Sequence, residues 1–165
     1  CEPLMERTGH SPIKEKMKEI KSPLSGEMSG HVCYGDDFYG YDDAMYVGLR
    51  LLRILGNKNK NLNDIIDKYP KTFSTPETRF DVDEIKKFKI IDEIKERLLS
   101  FEGNIIDIDG IRVETEEGWF LMRASNTQNQ LTCRVESTSK NGLKKLIDIV
   151  ENQLQLSNVN FKFTI

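Results

Sequence analysis

The stretch Asn104–Ser137, NIIDIDGIRVETEEGWFLMRASNTQNQLTCRVES, decides the fold. It holds four short runs, NIIDID, IRVETE, WFLMRAS and LTCRVES, rich in β-branched and aromatic residues. Turn signals such as Asp109-Gly110 and Glu117-Gly118 part them, which predicts consecutive antiparallel strands. Just upstream, ETRFDV predicts one more strand and DEIKKFKIIDEIKERLLS a long amphipathic helix. Downstream, NGLKKLIDIVENQLQL puts Leu143, Leu146, Ile147, Val150 and Leu154 on one helical face. The expected fold is α+β: from about residue 75 to 165, one antiparallel sheet of four to five strands carrying two helices. Trp119, beside Phe120 and Leu121, is expected in its core.

Residues 1–70 read differently. HSPIKEKMKEIK predicts a short helix, with Ser11 placed to cap it and Pro12 suited to the first turn. SPLSGE and HVCY predict short strand segments. DDAMYVGLRLLRILG predicts a helix capped by Asp42 or Asp43 and ended by Gly56. Apolar residues cover most of its circumference, so it is expected to be largely buried. NLNDIIDKY predicts one or two further turns. With too few strands for a sheet of its own, this segment is expected to be a partial α/β domain, exposing apolar surface unless another segment or copy covers it. YPKTFSTPETR, with two prolines, reads as the linker to the second domain.

Composition narrows the function. Lys and Arg total 24 against 27 acids, a net charge of -3, so nucleic acid and anionic membranes are not expected partners. Clustered base-stacking aromatics are lacking as well. Cys1, Cys33 and Cys133 share no metal-ligand spacing and read as reduced thiols of a cytoplasmic protein. No apolar run reaches the roughly 18–20 residues that span a bilayer. The opening, CEPLMERTGHSPIK, reads as a cut end.

Two segments carry candidate chemistry. In GEMSGH, Glu27 can accept from two neighbouring sugar hydroxyls, Ser29 can donate or accept, and His31 adds a proton-carrying group. If the segment is extended, these alternate side chains point to one side; the pattern alone favours a plain turn with a capped strand end. In RASNTQNQ, Arg123 offers a planar fork for phosphate oxygens, with Ser125, Asn126 and Thr127 as short donors beside their own N–H groups. A polar hairpin turn would look similar. Asp36, Asp37, Asp42 and Asp43 in YGDDFYGYDD lack the alternate-ligand pattern of a calcium loop and read as helix capping and a solvated turn. The lysines of KEKMKEIK and DEIKKFK alternate with acids and read as solvated helix faces. His10 and His31, the only histidines, both follow glycines.

TGHSPIKEKM, SGEMSGH, YGYDDAMYVGLRLL, STPETR, IDGIRVE and GWFLMRASNT, in this order, resemble the C-terminal part of the α-D-phosphohexomutases. Within that family the resemblance is to the bacterial phosphomannomutase/phosphoglucomutase branch, where Met28 stands in place of the Gln typical of phosphoglucosamine mutases. It covers the chain except NVNFKFTI, and implies the end of domain three over residues 1–70. It further implies domain four, with a TATA-binding-protein-like build, over residues 75–165.

The resemblance implies an isomerase that converts hexose 1-phosphates to 6-phosphates, with a phosphoserine and a magnesium loop in N-terminal domains outside this chain. A hexose 1,6-bisphosphate is the implied activator. Glu27 and Ser29 would bind sugar hydroxyls, and His10 and His31 would line the cleft, with His31 assisting proton transfer. Arg123, Ser125, Asn126 and Thr127 would clamp the non-reacting phosphate. The chain alone is then expected to be inactive. The alternative is a stand-alone sugar-phosphate-binding or interaction module without catalysis.

Overall fold

The structure is a computed structural model that describes residues 2–58 and 61–164. Cys1, read above as a reduced thiol, lies outside the described residues. The chain divides into two compact units, one ending at Tyr69 and the other beginning at Pro70.

In the first unit, helix α1 (His10–Glu19) is followed by a hairpin of β1 (Leu24–Gly26) and β2 (Val32–Tyr34), paired antiparallel with Ser25 opposite Cys33. Helices α2 (Ala44–Lys58) and α3 (Leu62–Ile66) complete it. The helix boundaries correct two expectations. Gly9, at φ 124°, starts α1 before Ser11, so Ser11 lies inside the first turn and caps nothing. Pro12 stays harmless there, because first-turn N–H groups have no helical partner anyway. Gly56 does not end α2, since it lacks the left-handed backbone a glycine stop requires and the helix runs on.

Asp43 does cap α2, its Oδ1 accepting the Tyr46 N–H at 2.9 Å. A third correction concerns burial. Met45 is 82% exposed, and Leu49 and Leu52 are each 65% exposed, because only a two-stranded hairpin and short helices share this unit. Five-residue α3 is held by a capping box in which Asn61 and Asp64 exchange side-chain and backbone bonds.

The second unit is the expected α+β sandwich. Its strands are β3 (Phe73–Ser74), β4 (Thr78–Asp81), β5 (Asn104–Ile106), β6 (Ile111–Thr115), β7 (Gly118–Ala124) and β8 (Gln130–Ser137). β8, β7, β6 and β5 lie side by side, all antiparallel, and β3 and β4 share the outer edge of β8. The segment read as a linker thus contributes a strand. Thr75 fastens it: its N–H donates to the Val135 carbonyl at 2.9 Å and its Oγ1 accepts the Val135 N–H at 3.1 Å.

Helices α4 (Lys87–Leu98) and α5 (Lys140–Leu156) bury Ile94, Leu98, Leu146, Val150 and Leu154 against Val113, Phe120, Met122, Leu131 and Val135. Strand alternation sends Phe120 and Met122 inward and Trp119, Leu121 and Arg123 to the other face. Trp119 is therefore not core; the Arg112 guanidinium lies over its ring at 3.9 Å. Cys33 and Cys133 are buried and free, and burial pushes the Cys133 thiol up. Among the described residues no helix is long and apolar enough to cross a membrane.

Candidate functional site

GEMSGH is the tip of the β1–β2 hairpin. The Glu27 N–H donates to the His31 carbonyl at 2.8 Å, and the Gly30 N–H closes a turn onto the Glu27 carbonyl at 3.0 Å. Gly30 takes φ 94°, a left-handed conformation that glycine adopts without a Cβ penalty. The segment is thus a turn, and an extended run with alternating side chains is corrected. Curling it brings the three side chains together instead. His31 Nδ1 lies 3.2 Å from Glu27 Oε2 and 3.3 Å from Ser29 Oγ. Glu27 Oε1 accepts the Gly9 N–H at 3.1 Å, which ties the hairpin tip to the start of α1 beside His10. His10 Nδ1 in turn sits 3.3 Å from Ser11 Oγ. A carboxylate has roughly four acceptor sites, so one bond on each Glu27 oxygen leaves capacity for hydroxyl donors.

RASNTQNQ is the connection between β7 and β8 in the second unit. Arg123 faces away from the helices, opposite Thr132 in the ladder, and its side chain is 15% exposed. Its Nη1 stands 3.8 Å from Asp109 Oδ2, an ion pair longer than a hydrogen bond. Asp109 belongs to the β5–β6 turn, which crosses close above Arg123. Gly110, at φ 81°, permits this, since a Cβ there would overlap the Met122 carbonyl oxygen and the Arg123 backbone.

Beyond Arg123, Ser125 organises the loop. Its N–H donates to the Gln130 carbonyl at 2.9 Å, and its Oγ accepts the N–H groups of Thr127 at 3.4 Å and Gln128 at 3.1 Å. Asn126, Thr127, Gln128 and Asn129 are all exposed. Among the described residues the Asn126 and Asn129 N–H groups have no protein acceptor.

One residue of this loop's surroundings is new. Lys87, read as part of a solvated helix face, is 4% exposed, and its Nζ donates to the Gln128 carbonyl at 2.9 Å. Its spacing to Ile90, Ile91 and Ile94 along the apolar face of α4 was the available signal.

The acidic run YGDDFYGYDD is occupied within the protein. Arg50 reaches Asp36 at 3.1 Å and Asp37 at 3.2 Å, with its guanidinium 4.4 Å from the centre of the Tyr34 ring. The Asp36 carboxyl is held below the usual carboxylate range, first by the Asp37 N–H and further by Arg50.

Both units match one family. The model for the phosphoglucomutase/phosphomannomutase alpha/beta/alpha domain III covers residues 1–73, and that for the C-terminal domain covers residues 77–153. The chain belongs to the phosphoglucomutase/phosphomannomutase family. It is 41% identical over 153 residues to a phosphomannomutase/phosphoglucomutase of Pseudomonas aeruginosa, covering 93% of this chain and 33% of that protein. A Neisseria gonorrhoeae phosphoglucomutase is 40% identical over 148 residues, covering 88% of this chain and 32% of that protein.

The chain thus spans about a third of the length of the curated relatives it matches. Among solved structures, a Burkholderia thailandensis phosphoglucomutase/phosphomannomutase family protein matches with a TM-score of 0.86 and 38% identity. That match covers 98% of this chain and 34% of the other.

Proposed function

We propose that this chain supplies the sugar-hydroxyl and distal-phosphate contacts of a phosphohexomutase that interconverts hexose 1- and 6-phosphates. The observation that carries the reading is the β7–β8 loop. Just after Arg123 in the chain, Ser125 folds the backbone so that the Asn126 and Asn129 N–H groups are left without protein acceptors among the described residues. Such a turn, close in sequence to a cation, suits an oxyanion. The names of the relatives, phosphomannomutase/phosphoglucomutase and phosphoglucomutase, support the same substrate class.

In this account Glu27 accepts hydrogen bonds from vicinal sugar hydroxyls, and Ser29 adds a donor or acceptor. His10 and His31 line the site, with His31, 3.2 Å from Glu27, placed to move a proton at the reacting oxygen. Arg123, Ser125, Asn126 and Thr127 hold the phosphate that is not reacting. Holding that end positions the sugar, while its shared hydroxyl contacts let either phosphate-bearing carbon face the reacting group.

The phosphoserine donor, a cytoplasmic setting and a hexose 1,6-bisphosphate activator belong to the same proposal. Magnesium would supply electrostatic stabilisation of the transferring phosphoryl group. The residues of this chain do not fit it: among the described residues no three His, Cys, Asp or Glu side chains cluster to hold a metal, and Asp36 and Asp37 face Arg50.

Turnover of glucose 1-phosphate and mannose 1-phosphate, with magnesium and a bisphosphate activator, tests the proposal. The full-length protein is expected to turn over and the 165-residue chain not to. Appreciable turnover by the chain alone, or none by the full-length protein, contradicts it.

A further inference from the structure

The Lys87 side chain packs beneath the β7–β8 loop with its ammonium on a backbone carbonyl rather than a carboxylate. Lys87 is the first residue of α4, where the helix dipole disfavours a cation. It is 4% exposed, and withdrawing an ammonium from water costs several kcal/mol in the absence of a counter-charge. Among the described residues none of the ion pairs includes Lys87. Its contacts are the Gln128 carbonyl at 2.9 Å and the Phe88 ring, whose centre lies 5.2 Å away. A lysine offers three donors, and one is engaged.

Resting on the phosphate-loop reading, we propose that Lys87 is a positioning residue for the bound phosphate. It acts through the Gln128 peptide. That peptide is planar and trans, so its carbonyl and the Asn129 N–H point in opposite directions. Fixing the carbonyl inward on Lys87 therefore turns the Asn129 N–H outward, where no acceptor among the described residues meets it. Arg123 lies on the opposite face of the sheet from the helices. Arg123 and Lys87 thus put positive charge on the two sides of the strand that leads into the loop, and an anion on the outward Asn129 N–H would meet a net positive surrounding.

The ¹⁵N-labelled 165-residue chain, titrated with inorganic phosphate while the Asn126 and Asn129 amide resonances are followed, tests this. The unaltered chain should bind, with affinity falling as sodium chloride is added. Lys87→Met should bind about tenfold more weakly, because the Gln128 peptide loses its anchor and the loop a nearby positive charge. It should show a shallower salt dependence and a melting temperature no lower than that of the unaltered chain. Lys87→Arg should recover most of the affinity.

Equal affinity of the unaltered and Lys87→Met chains overturns the inference while leaving the phosphate loop standing. Weak binding by both variants with lowered melting temperatures assigns Lys87 to packing and also overturns it. No response at Asn126 and Asn129 in the unaltered chain overturns both the inference and the phosphate-loop reading.

Discussion

The Glu27 carboxylate joins Gly9 to His31, with Oε1 accepting the Gly9 N–H at 3.1 Å and Oε2 standing 3.2 Å from His31 Nδ1. One side chain thus fixes both the hairpin tip and the entry to α1. Glu27→Ala should destabilise the first unit by about 1–2 kcal/mol, since it leaves a part-buried N–H without an acceptor. Glu27→Gln keeps an oxygen for Gly9 and should cost less. Urea unfolding measures both, and amide exchange should quicken at Gly9 in the alanine variant alone.

Ser125 acts through its oxygen. Removing it in Ser125→Ala frees the Thr127 and Gln128 N–H groups, which are exposed and regain water. The stability loss should therefore stay near 0.5–1 kcal/mol. Loop order should suffer more, seen as faster amide exchange at both positions. Ser125→Thr keeps the acceptor and should restore slow exchange.

Gly110 is predicted to tolerate nothing larger. Gly110→Ala combines a left-handed φ of 81° with a Cβ driven into the Met122 carbonyl and the Arg123 backbone. Left-handed strain alone costs about 1–3 kcal/mol, and the overlap with backbone adds to it. Chemical denaturation should show a loss of more than about 2 kcal/mol. Unchanged stability would mean the β5–β6 turn does not press on Arg123.

Acid should weaken the β5–β6 hairpin through Glu114. Its carboxyl is held low first by the Arg112 side chain and then by Asn104. A carboxyl whose pKa is lower folded than unfolded contributes fully above the ordinary carboxylate range. That contribution is lost as pH falls through the folded value. Asp107, held low by Lys95, works in the same direction. Thermal unfolding between neutral and acidic pH should show a shallower acid decline in Glu114→Gln than in the parent. The difference should be small and should shrink in salt, because Glu114 is substantially exposed.

The second unit was legible because its longer strands carry a period-2 pattern and the β5–β6 and β6–β7 turns carry Gly110 and Gly118. Alternation also contains the information that Trp119 and Phe120 face opposite ways; adjacency of apolar residues hid it. The strand at Phe73–Ser74 was hidden because two residues between prolines hold no pattern, and pairing with β8 makes them a strand. The α2 helix was correctly placed but wrongly buried, because hydropathy reports what a face prefers and says nothing of what covers it.

At the site, residue types were legible and geometry was not. Glu27, Ser29 and His31 meet because Gly30 curls the chain; the pattern pointed to a turn without showing that it gathers these three side chains. Lys87 was hidden by its charged neighbours, although its helical register with Ile90 and Ile94 marks the buried face.

The most direct measurement is calorimetric titration of glucose 6-phosphate into the full-length protein, with and without Arg123→Ala, after circular dichroism shows both folded. A charged hydrogen-bonding group that holds the phosphate is worth about 1.5–3 kcal/mol. The dissociation constant should therefore rise by about 10- to 150-fold. An unchanged constant in the folded variant would contradict the assignment of the Arg123–Thr127 loop to phosphate.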